Sequence, residues 1–526
     1  MIPGLVPKER MVLAPLQRWL GFIALCIGMS MSILDIQVVV TSLKVISTAF
    51  NIGEDQISWV QTCYLIAEVI AIPLTGLLMR VFTLRWLLVA ALIAFTLASI
   101  FCSFSTDYVE LLVGRIAQGF AGGILIPLVF SAIFLLFPPG FEQSLGTTLA
   151  GFLAVLAPTL GPLIGGWLTD HYSWHALFLI NVGPGLLAMA MGFFAFPLQG
   201  LKLAELRGLD YLSLALLAVG LAALLIGLKY APKDGWLAVH VLAWFALSAA
   251  ALWWLWKRPN PAIMFHLLED RSLAFGCMLS FLTGFVLYAN IFLIPFFLSN
   301  VRDFTPLQIG FVTLVMGLSQ LFTAPLSVQI DRYFNARLLS ALGFAVFGVG
   351  LFMNANLTIN SGSESYFWPQ VVRGVASAFI VLPPIRFALA LMPLDKIGDA
   401  SGLFNVARNI GGALGIAVVD TLIWQRSPIY TDMIREWMKT DVDRAAAALG
   451  MVASDVPAPD DAMGLIGIAD SIGQAALTMV VNECWIVLGV ASLVALPVII
   501  WLGPVASALP PKRLAFLRKQ RENAGK

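Results

Sequence analysis

The sequence predicts an all-α integral membrane protein with fourteen transmembrane helices, and three observations carry that prediction. Of its 526 residues, 60% are hydrophobic and 12% charged, with a mean hydropathy of +0.90. A soluble domain is about half apolar and a quarter charged. The apolar residues gather into fourteen runs, each near the ~20 residues that a helix needs to cross a bilayer. None shows the ten-residue alternation of barrel strands. A net charge of only +1 excludes nucleic-acid binding, and the composition excludes disorder and collagen-like repeats.

The elements follow in order. Residues 1–18 hold Pro3, Pro7 and Pro15 with Lys8, Arg10 and Arg18. They show no short apolar core ahead of a small-residue cleavage site, so they read as a cytoplasmic N-terminus, with the run from Trp19 retained as span 1. An N-terminal six-helix half, 19–197, has spans at 19–43, 57–79, 86–104, 109–136, 144–168 and 175–197. An inserted pair at 209–229 and 237–256 lies with its cytoplasmic linkers in 198–271. The C-terminal half, 272–503, has spans at 272–298, 307–330, 338–355, 366–392, 400–424 and 481–503, with a long outer loop at 425–480; a basic cytoplasmic tail occupies 504–526. Most connections are a few residues long, which makes neighbouring helices antiparallel. With the N-terminus inside, nineteen of the 31 basic residues fall on the cytoplasmic side. The positive-inside rule then places both termini in the cytoplasm.

The outer segment 425–480 carries eight acidic residues against four basic. Its stretch 430–444 has apolar spacing compatible with a surface helix, which Pro457 and Pro459 end. It reads either as a solvated or interfacial loop or as a docking surface for a periplasmic partner.

A repeat is visible. Arg115 opens Arg-Ile-Ala-Gln-Gly-Phe-Ala-Gly-Gly-Ile-Leu-Ile-Pro127 in span 4, and Arg373 opens Arg-Gly-Val-Ala-Ser-Ala-Phe-Ile-Val-Leu-Pro-Pro384 in span 12. Arg80 and Arg85 flank the 2–3 loop as Asp331, Arg332 and Arg337 flank the 10–11 loop, again at an offset near 250 residues. The arrangement is therefore 6 + 2 + 6. Two six-helix halves related by an axis along the membrane normal are a common plan of secondary transporters.

Ionisable residues inside spans are costly, so each is a functional candidate. At 1.5 Å per residue, Asp35 lies roughly 24 Å up span 1 and Arg115 roughly 9 Å below the outer end of span 4, which brings the two to similar depth. The pair reads either as an ion pair that joins spans 1 and 4 or as a carboxylate whose protonation toggles as a cavity opens. Glu68, near the middle of span 2, is a second proton-site candidate, or else a neutral packing residue. Arg373 and Arg408, the latter flanked by Asn405 and Asn409 at helical spacing, read as helix-pairing or gate residues, because arginine stays charged.

Span 5 reads Ala157-Pro158-Thr-Leu-Gly161-Pro162-Leu-Ile-Gly165-Gly166. Gly161 and Gly165 offer a face for close helix approach, while Pro158 and Pro162 remove backbone donors and bend the helix. The five cysteines read as small hydrophobes. The four histidines lie near span ends without the spacing of a metal cluster, and no phosphate-binding G-x-x-x-x-G-K-[ST] loop is present.

These residues resemble a known family. Gly161-Pro162-x-x-Gly165-Gly166 resembles the antiporter motif of major facilitator superfamily exporters, and Gly114-Arg115-x-x-Gln118-Gly119 that superfamily's span-4 motif. Leu34-Asp35 resembles the aspartate motif of the fourteen-helix drug:proton antiporters. The run from Gly165 through Asn181-Val182 is similar to the EmrB/QacA type, and EmrB-like in particular, as are Leu209-Asp210 and Asp234-Gly235-Trp236. The resemblance covers nearly the whole chain and implies a major facilitator fold. It also implies a non-enzymatic exporter of amphipathic compounds, driven by the proton gradient without a cofactor. On it, Asp35 and Arg115 carry proton coupling, and Pro158, Gly161, Pro162, Gly165 and Gly166 shape the interface that seals one side. Gly76, Arg80, Arg85, Asp331 and Arg332 latch the cytoplasmic face. The partners it implies are small amphipathic substrates, a membrane-fusion adaptor and an outer-membrane channel. The 2–3 loop departs from the superfamily pattern, since Gly76-Leu-Leu-Met-Arg80-Val-Phe-Thr83-Leu-Arg85 lacks its aspartate and second glycine. An importer or facilitator of the same fold explains everything except the span-5 motif. A non-transporting scaffold or sensor explains the outer segment and the basic tail.

Overall fold

A computed structural model of the chain describes residues 13–40, 42–138, 141–198, 200, 210–258, 265–331, 333–389, 392, 396–458 and 461–501. The described residues form helices joined by short turns, with no strand among them. In chain order these are α1 (Pro15–Val40), α2 (Leu43–Phe50), α3 (Glu54–Ser103), α4 (Tyr108–Leu136), α5 (Phe141–His171), α6 (Ala176–Leu179), α7 (Val182–Ala195), α8 (Tyr211–Asp234) and α9 (Val239–Lys257). The second part comprises α10 (Arg271–Asn300), α11 (Pro306–Asp331), α12 (Ala336–Phe352), α13 (Ser363–Leu389), α14 (Ile397–Thr440), α15 (Val442–Leu449), α16 (Ala462–Gly467) and α17 (Ala469–Trp501). Each of the fourteen apolar runs overlies one of these helices. By length and apolarity, eleven stretches can cross a bilayer, or twelve if the two arms of α5 make one bent span. α12 is shorter at 17 residues.

Local chemistry sets the ends. Asp107, Asp210, Asp270, Asn335, Asp441 and Asp461 each stand just before a helix and accept from a free backbone N–H of its first turn. Asp210 also takes the Ser213 hydroxyl at 2.5 Å and the Arg258 guanidinium at 2.7 Å, which ties the start of α8 to the end of α9. The Ser213 hydrogen bond, with Arg258, holds the Asp210 carboxyl down at about 2.

α3 contains two spans, Gln56–Met79 and Val81–Ser103. They part at Thr83, whose backbone (φ 59°, ψ 162°) lies in a region that glycine occupies freely and β-branched residues do not. The chain thus holds a threonine in a conformation that only glycine adopts without strain. Thr83→Gly is expected to raise the melting temperature, relieving about 1 kcal/mol of strain. Thr83→Ala, which keeps the Cβ, gives no such gain.

Each half has its own core. In the first, Phe22, Leu25 and Met29 of α1 meet Leu88 and Leu92 of α3 and Leu125, Leu128 and Val129 of α4. In the second, Val286, Leu293 and Phe297 of α10 meet Phe344 and Phe347 of α12 and Trp485 and Leu488 of α17. α8 of the inserted pair lies along the seam, where Leu217, Leu221 and Leu225 pack with Val69 of α3 and Leu403 and Phe404 of α14. The segment 425–480 is built largely from helix. α14 runs on to Thr440, and Ile434 and Met438 bury against Ala445 and Leu449 of α15 and Ile472 of α17. Glu483 is held by Arg426 at 2.7 and 3.0 Å and by the Tyr430 hydroxyl at 2.5 Å.

Candidate functional site

A fully buried polar cluster lies in the first half. Asp35 of α1 and Arg115 of α4 are both 0% exposed, and Arg115 Nη1 donates to Asp35 Oδ2. The other carboxylate oxygen accepts from Asn181 Nδ2 at 2.7 Å and from Gln118 Nε2 at 3.1 Å. Gln118 is one turn beyond Arg115 on α4, and its Oε1 accepts from Arg115 Nη1 at 2.9 Å. Its Nε2 reaches Ser99 Oγ at 2.8 Å. Arg115 Nε donates to the Val60 carbonyl at 3.1 Å, and the guanidinium lies over the Tyr64 ring at 4.3 Å. Arg115 Nη2 is buried without an acceptor among the described residues. Tyr64 is in turn held by Ser32 through its hydroxyl at 3.0 Å.

The chemistry follows from the inventory. An ionised carboxylate only accepts, and here three side chains converge on it as donors. Adding a proton to Asp35 turns an acceptor oxygen into a donor facing donors, and leaves Arg115 buried without its counter-charge. An uncompensated buried charge costs several kcal/mol, so protonation must rearrange the cluster or open it to water. That is the behaviour expected of a switch.

A second polar group spans the seam. Glu68 of α3 is 3% exposed, and the charge acting on it most strongly is Arg408 of α14, followed by Arg115. Arg408 Nη2 donates to Asn405 Oδ1 at 2.7 Å, and Tyr288 of α10 donates to Asn409 Oδ1 at 3.1 Å. Asn405 Nδ2 donates to the Ser401 carbonyl at 2.9 Å. The charge that acts on Glu68 most strongly therefore comes from the other half.

The span-5 residues act at one end of the bundle. α5 bends by 40° between Leu149–Pro158 and Leu160–His171, where Pro158 and Pro162 interrupt its hydrogen bonding. A Cβ on Gly161 would strike Gln37 of α1. One on Gly166 would lie 2.5 Å from the Pro306 carbonyl at the start of α11, and one on Gly310 would lie 2.9 Å from the Pro162 carbonyl. Glycine at these positions lets a helix of the first half touch the backbone of a helix of the second. At the same end Lys44 meets Asp303 at 3.8 Å, and Ser42 meets Thr169 at 2.7 Å.

The remaining expected positions stand apart from these groups. Gly76 lies half-buried in α3. Arg85 donates to the Phe196 carbonyl at 2.9 Å and sits 4.0 Å over the Phe193 ring, so it caps the end of α7. The side chains of Arg80 and Asp331, and all of Arg332, lie outside the described residues. Arg373 occupies a separate cluster in the second half, with Asn290 and Asn354. Sequence reasoning assigned no role to Asn181, Gln118, Ser99 or Tyr64, although the first two stand inside the motifs quoted. It also passed over Asp420, an ionisable residue within span 13 that faces the charge of Lys229 on α8.

The family profile described as Major Facilitator Superfamily matches residues 25–416. The chain is 33% identical over 429 residues to the Colistin resistance protein EmrB of Acinetobacter baumannii, covering 80% of this chain and 83% of that one. It is 28% identical over 502 residues to the Fatty acid resistance protein FarB of Neisseria gonorrhoeae, covering 92% and 96%. To the Multidrug export protein EmrB of Escherichia coli it is 27% identical over 501 residues, covering 93% and 95%. Among solved structures it is similar in fold to a bacterial homolog of the human lysosomal transporter Spinster, solved inward-facing and unoccupied. That match has a TM-score of 0.54 and 13% identity, and covers 93% of this chain and 99% of the other.

Proposed function

The chain belongs to the Major Facilitator Superfamily, as an EmrB-like, multi-pass transport protein of the bacterial inner membrane and not an enzyme, and from that premise we propose that it exports small amphipathic compounds in exchange for protons. The observation that carries this reading is the fully buried Asp35 carboxylate, saturated by Arg115, Gln118 and Asn181. It is a group built to hold either a proton or an ion pair, at a depth that only a moving cavity reaches. In this reading fourteen spans alternate access between two faces with both termini in the cytoplasm. The contact of α5 with α11 closes the outer face, and substrate crossing the seam meets Glu68 and Arg408. The relatives' names speak of colistin resistance, fatty acid resistance and multidrug export, three chemically different cargoes whose common denominator is amphipathic character. A membrane-fusion adaptor with an outer-membrane channel completes the export route, and the helical segment 425–480 offers the surface for it.

The test is a transport assay in proteoliposomes with an imposed pH gradient, using compounds that lose potency when the protein is expressed in an efflux-deficient host. Movement of such a compound against the proton flow is expected. Movement in the same direction as protons makes the protein an importer, and no flux under any gradient sinks the transport reading.

A further inference from the structure

The two halves repeat one constellation with a single change of charge. Asn290 lies 255 residues beyond Asp35, Asn354 lies 255 beyond Ser99, and Arg373 lies 258 beyond Arg115. The central contact repeats as well. Arg373 Nη1 donates to Asn290 Oδ1 at 2.6 Å, as Arg115 Nη1 does to Asp35. Arg373 Nη2 donates to Asn354 Oδ1 at 2.6 Å, and Nε to the Pro369 carbonyl at 3.1 Å. The guanidinium lies 4.8 Å over the Trp485 ring, as that of Arg115 lies over Tyr64. Arg373, Asn290 and Asn354 are all 0% exposed. In charge the difference is the acceptor, an amide where the first half has a carboxylate. The surroundings differ too, since Ser99 bonds Gln118 and not Arg115, and Arg115 Nε reaches the Val60 carbonyl of another span whereas Arg373 Nε reaches the Pro369 carbonyl of its own helix.

Among the described residues every group that bonds to Arg373 is neutral, and Tyr366 is the titratable group that faces it. Asp35 is faced by Arg115 of α4 and by Tyr64 and Cys102 of α3, with Glu68 beyond Tyr64. The charge accounting is simple. With Asp35 ionised, the first cluster is neutral; with Asp35 protonated, it carries one positive charge. The second cluster carries one positive charge at every pH at which the protein works, because an amide does not titrate and arginine keeps its proton.

We propose that the Arg373–Asn290–Asn354 cluster is a charge-locked copy of the Asp35 site. It holds the second half permanently in the charge state that the first half reaches only on protonation. Proton binding at the repeated site is thereby confined to one half, and one carboxylate titrates where symmetry would supply two. The proposal rests on the reading of Asp35 as a proton site. It adds that Asn290 is the position that withholds a second one.

The experiment uses full-length purified protein and counts protons taken up per molecule as the pH is lowered, read with an indicator dye. Asp35→Asn takes up one fewer than wild type, Asn290→Asp one more, and the double variant matches wild type. An Asn290→Asp protein that folds and takes up no additional proton overturns the proposal. An Asp35→Asn protein that takes up as many protons as wild type instead sinks the reading of Asp35, and leaves the Asn290 arm to be judged alone. A second pair covers the case in which Asn290→Asp fails to fold. Arg115→Gln breaks a matched buried pair and lowers the melting temperature sharply, whereas Arg373→Gln removes an unmatched charge and leaves it near wild type or higher. Equal losses in both show that an anion already neutralises Arg373, which overturns the permanent charge.

Discussion

Asp35→Asn is expected to abolish pH-driven transport while leaving the protein folded but less stable. The carboxylate accepts from three side chains, through Arg115 on one oxygen and through Asn181 at 2.7 Å and Gln118 at 3.1 Å on the other. Asparagine presents one oxygen and one NH2 to the same three donors. Whichever way the amide turns, a donor is set against a donor and Arg115 loses its counter-charge in a fully buried site. Breaking one partner of such a pair costs about 3–5 kcal/mol, enough to lower expression and melting temperature. The loss of coupling is a separate effect, since an amide cannot take up the proton whose binding is proposed to release Arg115. In proteoliposomes normalised for folded protein, drug movement under a pH gradient should fall to background. Downhill exchange of substrate, which needs no proton, should persist. Gln118→Ala provides the contrast: it removes one neutral donor to a charged group, worth about 1.5–3 kcal/mol, and should slow transport without uncoupling it. If Asp35→Asn still accumulates substrate against its gradient in response to pH, the proton site lies elsewhere, with Glu68 next in line.

These contrasts show what a single sequence exposes and what it hides. The apolar runs were legible because lipid is a uniform solvent that demands ~20 apolar residues per crossing wherever a helix passes. Asp35 and Arg115 stood out for the same reason, as charges in that solvent, and helical rise alone put them at one depth. Their other partners were hidden because Asn181 lies 146 residues from Asp35, and an uncharged polar residue within a span carries no local mark of where it points. Glu68 had no opposite charge in view for an equivalent reason: Arg408 belongs to the other half, and its charge reaches Glu68 only across the seam. Thr83 shows the opposite failing. A threonine in the 2–3 loop gives no sign of a glycine-like backbone, and the strained conformation appears only once the two spans flanking it are packed. In the outer segment the apolar spacing of 430–444 was legible, but not that Ile434 and Met438 bury against Ala445, Leu449 and Ile472 in a small core of its own, because those partners come from later in the chain.

Gly166→Val is expected to stop transport by a different route, leaving the Asp35 cluster intact. The Cβ of any residue at 166 would lie 2.5 Å from the Pro306 carbonyl carbon and oxygen and from the Leu307 nitrogen. All of these are backbone atoms at the start of α11, so no rotamer change relieves the clash. Carbon atoms pack at about 3.5–4.0 Å, so α5 and α11 must part by roughly 1 Å or more. Gly310 meets the Leu163 backbone from the other side and leaves no direction in which to slide. Overpacking of this kind costs about 1–3 kcal/mol, and it falls only on the state in which the two helices touch. In alternating access that cost is a shift of population away from this closed end, about 5- to 150-fold. The Lys44–Asp303 pair reports on the same end, with a charge separation of 3.8 Å. Cysteines placed at 44 and 303 should crosslink readily in the wild-type background and much less with Gly166→Val, while proton uptake by Asp35 in detergent is retained. Gly473→Ala, on a glycine with nothing within 4 Å of the added Cβ, should change neither crosslinking nor transport. Undiminished crosslinking in Gly166→Val would mean that α5 and α11 are not the closing surface, and the role of the span-5 glycines would pass to their packing on α1 through Gly161 and Gln37.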